Sequence, residues 1–149
     1  MHRLRPDRDN YISRTFSTQP FVADFGDGEV HIQFVHEDDV VAALVGLLEG
    51  RHGGEFNVAP DESVSLGECA EQVGLRRLRV PYRPYRALAQ AVWRLRRVET
   101  PSGNLSFVRY PWIVSNEKLK ATLGWSPRYG SLETFEIAMR ARGALPAAP

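Results

Sequence analysis

QFVHEDDVVAALVGLLEG, residues 33–50, decides how the rest of the chain is read. A histidine and three acids are followed at once by aliphatics. Val40, Val41, Leu44, Val45, Leu47 and Leu48 recur at helical spacing and give a wide apolar face over residues 37–49. Glu37, Asp38 and Asp39 fall in the first turn, where carboxylates favour the positive end of the helix dipole. His36 takes the N-cap position, Asp39 takes N3, and Gly50 stands where a terminal glycine is expected. The other reading is chemical, with His36 and the acids as metal ligands or as an acid/base pair. The remaining histidines are His2, His31 and His52, and none has the i, i+4 partner of a metal-binding helix. The helix-start reading is therefore preferred, and no metal is expected.

Outward from this helix the chain alternates strands and helices. VHIQFV (30–35) alternates and reads as a short strand after the turn at Asp27-Gly28. GEFNVAP (54–60) reads as a second strand ending at Pro60. Ser65 and Glu68 form a capping box for a helix to about Val73. Residues 78–80 suggest a strand closed by Pro81, and a helix follows over 84–98. There, Leu88, Ala91, Val92 and Leu95 share one side. Ser115 is placed to cap a helix ending at Gly124, and Ser131 to cap the last helix, 132–142. Residues 1–20 show no clear period, and residues 144–149 read as a disordered tail after a single segment, 1–143. The pattern is α/β with few strands and mostly helices, too few strands to build a covered parallel sheet.

Composition excludes several classes. The 149 residues carry a net charge of +1, so no global field draws the chain to nucleic acid or acidic lipid. Cys69 is the single cysteine, which excludes an intrachain disulfide. No apolar run approaches a membrane span, and MHRLRPDRDN lacks the apolar centre of a signal peptide, so a cytoplasmic location is expected. The arginine-rich stretch 76–98 holds eight arginines with Tyr82, Tyr85 and Trp93 among them. It reads first as a solvated amphipathic face. A phosphate clamp, a membrane-surface contact through 84–98 and stacking on nucleic acid are the functional alternatives, the last disfavoured by the neutral whole. SFVRYPWIVS (106–115) is either a pocket-lining loop or core. No nucleophile elbow and no glycine-rich phosphate loop is present.

Taken in order, FVHEDDVVAAL, GEFNVAPDESVSLGE and LGWSPRYGSLE are similar to the C-terminal half of the extended short-chain dehydrogenases/reductases, the NAD-dependent epimerase/dehydratase family. The residues that carry the resemblance are His36 and Asp39, Asn57 with Ser65 and Glu68, and Lys118 with Leu123, Gly124, Trp125 and Pro127. It covers about Asn10 to Arg142. It implies a Rossmann-type fold whose main cofactor sheet is missing here, and NAD or NADP as the cofactor of the parent family. The family's GxxGxxG turn and Tyr-x-x-x-Lys pair belong to its first half. None of the five tyrosines here has a lysine four residues on. The chain is thus expected to contribute the substrate-binding region, to hold no cofactor by itself and to lack activity alone. The resemblance begins abruptly after RLRPDRDN, which favours a third reading, a decayed or mis-started reading frame with no function of its own.

Arg14, Gln33, Arg109 and Tyr110 are the expected contacts to a small-molecule substrate. Gln33 stands where nucleotide-sugar members carry a diphosphate-binding arginine, so an apolar or steroid-like substrate is expected instead. The strand at 54–58, alone, is expected to be an unpaired edge prone to self-association. The alternative to the enzyme reading is a non-enzymatic ligand-binding or protein-interaction module derived from the same family.

Overall fold

The computed structural model describes residues 16, 20–95 and 102–146. It is α/β, and the described residues form five α-helices and four short strands in two separate pairs. β1 (Phe21–Asp24) runs parallel to β4 (Arg76–Arg79), with Phe21 opposite Arg76 and Asp24 opposite Arg79. β2 (His31–Ile32) runs antiparallel to β3 (Val64–Ser65). The chain between them forms α1 (Glu37–Glu49), α2 (Leu66–Gln72) and, after β4, α3 (Tyr82–Arg94). A 3-10 helix (Ser102–Val108), α4 (Glu117–Leu123) and α5 (Ser131–Ala141) complete it.

The two strand pairs close one core. Val22 of β1, Ile32 of β2 and Val64 of β3 meet Leu66, Cys69 and Ala70 of α2, Leu105 and Val108 of the 3-10 helix, and Phe135 and Met139 of α5. Phe16 completes the cluster, its ring set edge-on to Phe135 at 5.0 Å. α1 attaches differently. It meets α4, and at Gly46 the absence of a side chain lets Leu123 come close, since a Cβ there would lie 3.0 Å from Leu123 Cδ1.

Most expected helices form where their signals lie. α1 has the expected bounds, and the Ser65–Glu68 capping box is present in both directions. Gly124 ends α4 in the left-handed conformation, at φ 63°. α3 begins two residues before the expected start. Pro84 then falls in its first turn, where a missing N–H leaves no helical bond unmade. Residues 96–98, the expected end of that helix, lie outside the described residues.

Other expectations are corrected. β1 was not foreseen, and residues 54–60 form no strand. The carbonyls of that segment are taken by side chains instead of a ladder. Lys118 Nζ donates to Glu55 O at 2.7 Å, Asn116 Nδ2 to Ala59 O at 2.8 Å, and Gln33 Nε2 to Pro60 O at 3.1 Å. Strand β2 is two residues rather than six, because after Ile32 the chain turns into the N-cap of α1. On α3 the inward side is Tyr82, Tyr85 and Ala89, whose rings meet Phe25 at 5.2 and 5.6 Å. Of the expected apolar side, Leu88, Ala91 and Leu95 face outward. At the C-terminus, Ala144 N donates to Met139 O, and Ala144 and Leu145 pack on the core rather than trailing as a tail. Residues 147–149 of that expected tail lie outside the described residues.

Candidate functional site

The helix start of the opening stretch is built as a junction between distant segments. His36 Nδ1 accepts from Asp38 N at 3.2 Å, which is the expected N-cap. Asp39 behaves otherwise. Its side chain is buried, and instead of serving its own helix it crosses to the segment after Trp125. Oδ1 and Oδ2 accept from Arg128 N at 3.0 and 3.2 Å, and Oδ2 also accepts from Tyr129 N at 3.2 Å. The His36 ring stacks on Tyr129 with centroids 3.9 Å apart. Ser131, two residues on, is also fully buried. Its Oγ donates to Glu62 O and accepts from Phe34 N. Ser131 is thus a tertiary link inside α5 and not its cap, which is Gly130. Ser115 likewise lies one residue before the N-cap Asn116, although its Oγ still accepts from Glu117 N at 3.3 Å.

The expected substrate contacts are placed as follows. Arg14 lies outside the described residues. Gln33 has both ends of its amide engaged with main chain, donating to Pro60 O and accepting from Val114 N at 2.8 Å. This holds residues 112–114 beside β2, where Trp112 N donates to His31 O. Arg109 Nε pairs with Asp27 Oδ2 at 2.5 Å, and its guanidinium lies 4.0 Å over the Tyr82 ring. The hydrogen bond that Arg109 donates to Asp27 holds its pKa above the ordinary value. Tyr110 is exposed, as are Phe107, Trp112 and Ile113, so Trp112 and Ile113 are not core, while Val108 of the same stretch is.

Arg109 forms one wall of a shallow cleft that sequence reasoning missed. Asp24 lines it from the end of β1, Asp27 and Glu29 from the turn that follows, and Arg77 from β4. Arg77 pairs with Glu29 at 2.6 Å and approaches Asp24 at 3.7 Å. Gly67, at the start of α2, allows this: a Cβ there would come within 2.7 Å of Arg77 Nη1. The signal was in the sequence as ADFGDGE (23–29), three acids around two glycines, set against the arginine-rich stretch beyond. The cleft brings three carboxylates against two arginines, so it suits hydroxyl or cationic groups better than anions.

A nicotinamide dinucleotide does not fit these residues. The turn after β1 leads to β2 and not to a helix N-terminus, and its carboxylates would oppose a diphosphate. Among the described residues no group of three or more His, Cys, Asp or Glu side chains converges for a metal. No helix among them is long and apolar enough to cross a membrane.

No family model matches the chain. It is similar to Uncharacterized protein Rv0501 of Mycobacterium tuberculosis and Uncharacterized protein Mb0513 of Mycobacterium bovis, 25% identical over 150 residues in each case. The match takes in 96% of this chain and 38% of each relative. The chain therefore spans under two-fifths of the length of the curated relatives it matches.

Proposed function

We propose that these residues form the substrate-binding side of an NAD(P)-dependent extended short-chain dehydrogenase/reductase-like protein. Cofactor and proton-transfer groups would come from elsewhere in the whole protein. The observation that carries this reading is the face of α1 that the described residues leave bare. Val41, Leu44, Val45 and Leu48 are 57%, 52%, 45% and 76% exposed. A helix that is apolar on nearly every side belongs in an interior. Only Asp39 and Ala43 of α1 are buried here, yet the helix is pinned by Asp39 and closed by a cap. The proposed cover for its bare face is the cofactor-domain sheet.

Two further observations support the reading. FVHEDD and LGWSPRY, motifs of the resemblance some 90 residues apart, fasten directly to one another through Asp39 and Tyr129. The span of 38% of each relative leaves ample chain for a cofactor half. Substrate would lie over the exposed Phe107, Tyr110 and Trp112, which suits an apolar molecule. Gln33, engaged with main chain, supplies no diphosphate grip.

The test is to sequence the DNA upstream of the Met1 codon. A stretch encoding GxxGxxG and Tyr-x-x-x-Lys, in frame or by frameshift, supports the reading and supplies the whole protein to assay with NAD(P)H. Unrelated sequence there counts against it and favours the stand-alone binding module.

A further inference from the structure

The near-neutral charge of the chain hides a strong segregation. Residues 72–98 hold eight arginines and no Asp or Glu, while all 18 acids lie outside them against 11 of the 19 basic residues. The structure shows how this segment is presented. Tyr82, Tyr85 and Ala89 turn inward, so neither tyrosine ring is offered to a partner. On the outer surface of α3 two strips run side by side. Pro84, Leu88, Ala91 and Leu95 form one, with Leu88 and Leu95 62% and 71% exposed. Arg83, Arg86 and Arg94 form the other, all exposed and without an ion pair among the described residues. Beside them, the whole of β4 is exposed, including Arg76, Leu78 and Arg79. Trp93, 38% exposed, lies near the helix end.

We propose that α3 and β4 form a docking surface for an anionic lipid bilayer. A short amphipathic helix with leucines on one strip and arginines on the next lies in the plane of a membrane interface, apolar strip inward and cations at the headgroups. The charge complementarity rests on Arg83, Arg86 and Arg94 with Arg76 and Arg79, because the segment holds no carboxylate and the acids from outside it pair with Arg77. A nucleic acid is the other polyanion with this charge. It would be gripped by stacking on exposed aromatic rings, and here Tyr82 and Tyr85 are folded against Phe25 and Arg109, which leaves Trp93 as the exposed ring of α3. The exposed leucines have no use on a phosphate backbone and a direct use in the acyl boundary. The inference stands independently of the reductase reading.

The experiment is flotation of the 149-residue chain with vesicles of phosphatidylcholine alone and of phosphatidylcholine with phosphatidylglycerol. The chain is expected to float with the anionic vesicles, to stay behind with the neutral ones, and to be released by high salt. Arg83→Gln/Arg86→Gln/Arg94→Gln is expected to weaken binding on the order of a hundredfold, about fivefold per arginine. Leu88→Ser/Leu95→Ser should weaken it on the order of tenfold or more. All five positions are exposed, so the helical circular dichroism of both variants should match the parent. Leu44→Ser/Leu48→Ser, on the bare face of α1, should bind as the parent does. Equal flotation with neutral vesicles, no flotation with either, or loss of binding only in the α1 variant overturns the proposal. So does tighter binding to oligo-dT than to the anionic vesicles.

Discussion

Replacing Asp39 by alanine tests the junction on which the architecture turns. The carboxylate accepts from two main-chain N–H groups of Arg128 and Tyr129 and sits at the third position of α1. Hydrogen bonds to a charged group contribute about 1.5–3 kcal/mol each. The carboxylate at a helix N-terminus adds about 0.5 kcal/mol. Arg128 is exposed, so its freed N–H can reach water, and the sum is discounted accordingly. Asp39→Ala should therefore cost about 3 kcal/mol, a large part of the roughly 5–15 kcal/mol of a folded domain. In urea, read by tryptophan fluorescence, with a slope near 1.5 kcal/mol/M, the midpoint should fall by about 2 M. Asp39→Asn keeps one acceptor oxygen and should lose about half as much. Asp38→Ala, whose side chain is 55% exposed, should lose under about 0.5 kcal/mol. A midpoint for Asp39→Ala equal to that of Asp38→Ala would refute the reasoning.

Further outcomes follow from single positions. Arg51, not Gly50, takes the left-handed conformation after α1, at φ 52°. Arg51→Gly should raise stability by about 0.5–1 kcal/mol, and a lower melting temperature would contradict this. Glu68 accepts from Ser65 N at 2.8 Å, and this hydrogen bond holds its pKa below the usual 4.5. A depressed carboxyl contributes stability that is present above the unfolded value and lost as pH falls through the folded one. The melting temperature should thus drop as pH falls below 4.5, and Glu68→Gln should drop less over the same range. Burial, with the nearby Glu68 charge, pushes the Cys69 thiol up to about 12. A thiol reagent at neutral pH should leave it unmodified in the folded chain and modify it fully in denaturant.

The helices were legible because their signals are local. The His36 cap, the Ser65–Glu68 box and Gly124 each act within a few residues of themselves. What escaped reading depends on partners far along the chain. Residues 54–60 have strand-like composition, yet Gln33, Asn116 and Lys118 take their carbonyls before any strand can. β1 has only four residues and exists because β4, over 50 residues later, lies beside it. Ser131 carries the signature of a cap, and its burial between Phe34 and Glu62 is set by the meeting of three segments. The face of α3 was misplaced because two tyrosines bury more surface against Phe25 than Leu88 and Leu95 find elsewhere. The acid cleft was split between a glycine turn and two arginines some 50 and 80 residues away, a distance that no pattern bridges.

The bare face of α1 is proposed to be covered by a cofactor domain. The most direct measurement is a titration with NADH of this chain alone and of this chain joined to a preceding segment that carries GxxGxxG and Tyr-x-x-x-Lys. The account predicts no saturable binding by the chain alone and stoichiometric binding by the joined protein. It also predicts that Val45→Asp/Leu48→Asp abolishes the latter without touching the cofactor. Saturable NADH binding by the 149-residue chain alone, or undiminished binding by the joined double variant, would contradict it.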